Sequence, residues 1–142
     1  MAVRFARVRQ DHAREMAEDY AEMVLELGGA SRVPVRTMDL ARSLGVSHVT
    51  VHRALNRLAR DGFILRDENH GVLLSASGRK LGEASQARHS LVVSFLESLG
   101  VPEEVAAVDA EGLEHHLSPI TLERMAGWLE KASQDPGPLN PT

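Results

Sequence analysis

Apolar positions along this chain recur mainly with the period of a helix. Met16, Tyr20, Met23, Val24 and Leu27 fall three and four residues apart and Gly28-Gly29 follows, so the pattern predicts a first helix over residues 11–27. Thr37 can cap a second helix whose apolar positions are Leu40, Ala41 and Leu44. Gly45 suits a left-handed turn, and Val46 follows it. Ser47 then caps a third helix, with Val51, Leu55 and Leu58 on one face and an end near Gly62. Two short apolar runs, Phe63-Ile64-Leu65 and Val72-Leu73-Leu74, enclose a polar tip ending at Gly71, which predicts a β-hairpin.

The second half is helical throughout. Ser75 or Ser77 can cap a long helix reaching about Leu99, with Leu81, Leu91, Val92, Phe95, Leu96 and Leu99 as its apolar set. Gly100 ends it, and Pro102 suits the first turn of a short helix. Residues 109–116 predict another short segment. Ser118-Pro119 opens the last helix, which places Leu122, Met125, Ala126 and Leu129 on its buried side. A tail rich in Pro and Gly from Asp135 is expected to be disordered. The fold class is mainly α with a small β-hairpin wing.

A helix, a glycine turn, a second helix and a hairpin follow the winged helix-turn-helix plan, in which the second helix enters the major groove. With Val51, Leu55 and Leu58 turned inward, Val49, Arg53, Asn56 and Arg60 fall on the opposite side, flanked by His52 and Arg57. Arginine can fork onto guanine or grip phosphate, and Val49 can meet a thymine methyl. The residues expected to read bases are Ser47, Val49, Thr50 and Arg53. Arg57 and Arg60 are expected to hold phosphates, and Arg66 or His70 on the wing can do the same.

Charge sharpens this picture. The net −4 speaks against a nucleic-acid binder, but its distribution does not. Residues 1–88 carry 14 Lys/Arg against 11 Asp/Glu, whereas residues 89–142 carry 2 against 9. Residues 32–66 hold seven arginines and two acids, a local basic patch of the kind that binds phosphates. The absence of cysteine removes disulfides and thiolate metal sites and fits the cytoplasm. No apolar run approaches the roughly 20 residues that span a bilayer. The arginines at positions 4, 7 and 9 are not followed by the apolar stretch of a signal peptide.

Oxygen and nitrogen donors form three further groups. Asp19 and Glu22 share a face of the first helix, Glu111, Glu114 and His115 share another, and His89 lies among apolar neighbours. Hard carboxylates with a minority of imidazoles suit ions such as manganese or ferrous iron. Acid pairs at this spacing are usually solvated and a lone His is usually structural, so spacing alone leaves a metal site open.

Asp19-Tyr20-Ala21-Glu22, Arg88-His89 and the run from Asp109 through Glu111-Gly112-Leu113-Glu114-His115-His116-Leu117 to Ser118 resemble the diphtheria-toxin-repressor family, and within it the manganese transport regulators. The resemblance covers roughly residues 12–131. It implies a homodimer whose N-terminal domains bind palindromic double-stranded operator DNA when metal is present. It also implies ligands at Asp19, Glu22, His89, Glu111, Glu114 and His115, holding two manganese ions per chain. His116 matches the motif but not a family ligand. The manganese branch is indicated by Asp19, where iron-responsive relatives carry a softer methionine, and by an end after the helical second domain. One departure is His48-Val49 where the family often has a proline, so an operator sequence does not carry over. The expected division is a flexible extension over 1–10, a winged helix-turn-helix over 11–80, a helical metal-binding and dimerisation domain over 81–132 and a disordered tail over 133–142.

The six ligands include four carboxylates, and two divalent ions would cancel their charge. Without metal, each close pair repels by roughly 1–4 kcal/mol. Asp19 and Glu22 belong to the DNA-binding half and the others to the acidic half, so metal is expected to fix how a dimer presents two recognition helices about 34 Å apart. Other readings are a winged-helix regulator responding to iron or to a non-metal ligand, and a carboxylate-bridged metalloenzyme. The enzyme needs two Glu-x-x-His motifs, a pair that this chain lacks, and no small-molecule substrate is expected.

Overall fold

The computed structural model describes residues 2–28 and 33–134, with side chains from residue 12 onward. The elements in order are α1 (Ala2–Gly28), α2 (Thr37–Leu44), α3 (His48–Arg60), β1 (Ile64–Arg66), β2 (Val72–Leu74), α4 (Ala76–Ser98), α5 (Glu103–Leu113) and α6 (Pro119–Gln134). They form two compact units, Met1–Ser85 and Gln86–Thr142, with the boundary inside α4.

In the first unit α1 packs on α2 and on β2, α2 on α3, and α3 on β1. Its core is aliphatic, as the low aromatic content requires: Val24, Val35, Leu40, Val51, Leu55, Leu58, Ile64 and Val72 are buried around Tyr20. Helix α1 starts at Ala2, well before the residue 11 that periodicity suggests. Residues 2–15 are Ala, Val, Arg, Gln and Glu for the most part, without Gly or Pro, so propensity extends the helix beyond its apolar stripe. Gly28 is its last described residue; Gly29 and Arg32 lie outside the described residues.

Thr37 does not cap α2. Arg36 occupies that position without a side-chain bond, and Thr37 is the first helical residue. Its hydroxyl instead donates to the His70 carbonyl and accepts from the Arg66 guanidinium, tying the start of α2 to the wing. Gly45 takes the left-handed conformation at φ 67° and returns its N–H to the end of α2. Ser47 caps α3 by accepting from the Thr50 N–H at 3.1 Å.

β1 and β2 pair antiparallel with Ile64 opposite Leu74 and Arg66 opposite Val72. Val35 bridges to Val72 and adds a third edge that alternation could not reveal, since one residue has no period. The tip is held by Asp67, whose carboxylate accepts from the Asn69 and Gly71 N–H groups. A Cβ at Gly71 would lie 2.6 Å from Pro34 Cβ, so only glycine fits there. Ser75 caps α4 by accepting from the Gly78 N–H, while Ser77 donates to the Gly62 carbonyl.

In the second unit α4 ends at Ser98 and Gly100 turns the chain at φ 92°. The two short helices expected around 102–116 are largely one. α5 runs unbroken from Glu103 to Leu113, because Ala106, Ala107 and Ala110 favour the helix and Ala106 and Ala110 are buried on one face. Glu114 is its C-cap and His115-His116 lie in the following turn. α6 extends through Gln134, and the Ser133 hydroxyl donates to the Leu129 carbonyl. Its apolar set Leu122, Met125, Ala126 and Leu129 is half-buried rather than buried, since so small a unit has little to lay over it. The rest of the tail lies outside the described residues.

Candidate functional site

The outward face of α3 is set by the burial of its inward face. Val51, Ala54, Leu55 and Leu58 are buried, and Ser47, Val49, Thr50, Arg53, Asn56, Arg57 and Arg60 are all exposed. Val49 is 62% exposed, which leaves its methyls available. The hydroxyls of Ser47 and Thr50 bond to each other at 2.9 Å, so the cap also restrains the first turn. Arg66 and His70 on the wing differ in role: Arg66 is half-buried and bonded to Thr37 and to the His70 carbonyl, while His70 is exposed at φ 61°.

The chemistry in the second unit centres on Glu114. Its carboxylate is buried, and each oxygen faces an imidazole. Oε2 lies 2.7 Å from His89 Nδ1, and Oε1 lies 3.4 Å from His115 Nε2. α4 supplies His89, whereas Glu114 and His115 come from the end of α5. Carbonyl groups at a helix C-terminus carry partial negative charge, so a buried carboxylate there needs a cation or strong donors close by. A buried carboxylate with a nitrogen on either side is a donor set that fits a divalent cation. Glu111 lies one turn before Glu114 on α5 and is exposed, as is His116.

Asp19 and Glu22 sit on α1 in the first unit, Asp19 exposed and Glu22 half-buried. Glu22 accepts from the fully buried Ser85 hydroxyl at 2.7 Å, which aims one of its oxygens and leaves the other. Ser85 escaped the sequence reading, because a partner 63 residues away leaves no local signal. Glu18 is also buried and pairs with Arg14 at 3.1 Å one turn earlier. That i, i+4 spacing was visible, but the burial was not. Tyr20 is buried in the core of the first unit, and burial pushes its hydroxyl above the usual tyrosine range.

A recognition helix with an arginine-bearing outer face, in a chain that also buries a carboxylate between imidazoles, defines the class of metal-linked DNA-binding regulators. The model of the iron dependent repressor N-terminal DNA binding domain matches residues 12–72, and that of the family's metal binding and dimerisation domain matches residues 75–138. The chain belongs to the iron-dependent repressor family, the diphtheria-toxin-repressor family, in its manganese transport regulator branch. The transcriptional regulator MntR of Salmonella typhimurium is 42% identical over 131 residues, covering 89% of this chain and 80% of that protein. The regulator of the same name from Bacillus subtilis is 33% identical over 121 residues, covering 83% and 82%.

Among solved structures, a manganese-dependent transcriptional repressor in complex with manganese superposes with a TM-score of 0.72 at 32% identity over 80% of this chain. The manganese regulator SloR gives 0.70 at 28% identity. This chain spans about half the length of those two, 52% and 53%. The curated relatives are transcriptional regulators rather than enzymes. Among the described residues no helix is long and apolar enough to cross a membrane.

Proposed function

We propose that this chain is a manganese-responsive transcriptional repressor that acts in the cytoplasm as a homodimer on palindromic duplex DNA. The observation that carries the reading is the buried Glu114 carboxylate flanked by His89 and His115, in a chain whose solved relative is described as a manganese-dependent repressor. On this reading Asp19, Glu22, His89, Glu111, Glu114 and His115 hold two manganese ions per chain. Ser47, Val49, Thr50 and Arg53 read bases, and Arg57 and Arg60 hold phosphates. Residues 11–80 serve as the DNA-binding domain and 81–132 as the metal-binding and dimerisation domain.

Bound manganese would supply positive charge that offsets the four carboxylates. The chain's own residues do the rest. Ser85 holds Glu22, and His89 and His115 orient Glu114 from both sides. Two of the six ligands lie in the first unit and four in the second, so shared ligands would couple metal occupancy to the presentation of α3. Such coupling is commonly worth about 1–3 kcal/mol, or about 5–150-fold in DNA affinity.

Isothermal titration of the chelator-stripped protein with manganese, beside the Glu114→Ala variant, tests this. Uptake near two ions per chain, lost or halved in the variant, is the expected result. A chain that takes up no manganese is instead a winged-helix regulator with a different signal.

A further inference from the structure

His48 and His52 stand one turn apart at the start of α3 and are used by neither reading above. Their Nε2 atoms lie 3.0 Å apart, with ring centroids 4.4 Å apart and ring planes at 84°. His48 is exposed and His52 half-buried. In the neutral pair one Nε2 donates its hydrogen to the lone pair of the other. Two imidazole nitrogens bound to one ion at about 2.0–2.1 Å, at angles between square and tetrahedral, must sit about 2.9–3.4 Å apart. The pair already stands at 3.0 Å, within that range.

We propose that His48 and His52 form a second cation site, on the DNA-reading helix itself, for a divalent ion that prefers imidazole, such as zinc, nickel or copper. Manganese is harder and favours carboxylate oxygen, so the two centres differ in the ion they select. The helix positions both ligands before any ion arrives, which lowers the ordering needed for binding. Binding through Nε2 requires both rings in the Nδ1–H tautomer, so the donor ring's Nε2 proton moves to its Nδ1 by way of solvent and the neutral pair releases none. Two protein ligands leave the remaining coordination positions open beside Ser47, Val49 and Arg53. A water or a phosphate oxygen of a duplex can occupy them. An ion held there would change operator binding without passing through the carboxylate centre.

The test is a zinc chloride titration of the full chain, followed by nitrogen–proton correlation spectra of isotope-labelled histidine rings. Signals are assigned with His48→Gln and His52→Gln. Each ring reports for itself, so uptake at the carboxylate centre cannot be mistaken for uptake here, and failure of either assignment is visible separately. The Nε2 signals of His48 and His52 are expected to move together. In His52→Gln the His48 signal should need at least about tenfold more zinc, because the second bond is no longer intramolecular. Signals of the pair that stay fixed while other histidines respond would overturn the site. So would a His48 response at unchanged zinc concentration in His52→Gln.

Discussion

Alanine is a better helix former than glycine by about 1 kcal/mol, so replacing a helical glycine ordinarily stabilises a protein. Gly78, in the first turn of α4, should do the reverse. A Cβ there would lie 2.9 Å from the Phe63 carbonyl carbon, closer still to its oxygen, and 3.2 Å from Leu74 Cδ2. Helix and carbonyl must separate by about 0.5 Å or more for the carbon alone to reach ordinary contact at 3.4 Å. The same carbonyl oxygen accepts the Ser75 N–H at 3.0 Å, so that bond is strained as well. Overpacking of this kind costs about 1–3 kcal/mol and a weakened hydrogen bond about 1 kcal/mol. Set against the helix gain, the net loss is about 2 kcal/mol. For a unit of this size that lowers the melting temperature by about 8–16 °C. Thermal unfolding of the metal-free protein followed by circular dichroism measures it. Gly127→Ala is the control: its Cβ would meet nothing within 4 Å, midway along α6, and a slight stabilisation is expected. A Gly78→Ala protein that melts at or above the parent temperature would refute the close approach of α4 to the Phe63 carbonyl.

Three further outcomes are expected. Arg53→Ala should weaken operator binding by about 1–3 kcal/mol, or about 5–150-fold, and leave manganese affinity of the free protein unchanged; gel-shift titration and calorimetry check the two halves. Thr37→Val removes a hydroxyl bonded to both Arg66 and the His70 carbonyl, and should cost about 1 kcal/mol in urea unfolding. Tyr20 is the only tyrosine, so tyrosinate absorbance reports it alone. Its folded-state pKa is raised by burial above the ordinary tyrosine value of 10.0. The unfolded chain therefore loses that proton first as pH rises. Stability should be level below pH 10.0 with respect to this group and fall above it until the folded pKa is passed. A spectrophotometric midpoint at or below the free tyrosine value would contradict the burial of the ring.

Local patterning accounts for what was legible beforehand. The apolar stripe of α3 needs only the 3.6-residue period, and fixing Val51, Leu55 and Leu58 inward leaves Arg53, Asn56 and Arg60 outward with no further information. Gly45 and Ser47 mark the turn and the cap because a left-handed φ and an N-terminal donor each favour a short list of residues. Where two rules compete, tertiary contacts decide. Thr37 is a good cap by type, but a wing carbonyl and a guanidinium from far along the chain claim its hydroxyl. The helix start at Ala2 was missed because periodicity detects burial rather than helicity.

The donor types of Asp19, Glu22, His89, Glu111, Glu114 and His115 and their chemical suitability for a hard divalent cation were properties of the sequence itself, as were the hairpin and the aliphatic core. Tertiary structure alone decided that Glu114 is buried with an imidazole at each oxygen, that Ser85 holds Glu22, and that Gly78 must lack a side chain. The division follows from range. Turns, caps and stripes depend on residues within about one helical turn of each other, whereas burial and long-range hydrogen bonds depend on chain segments that only folding brings together.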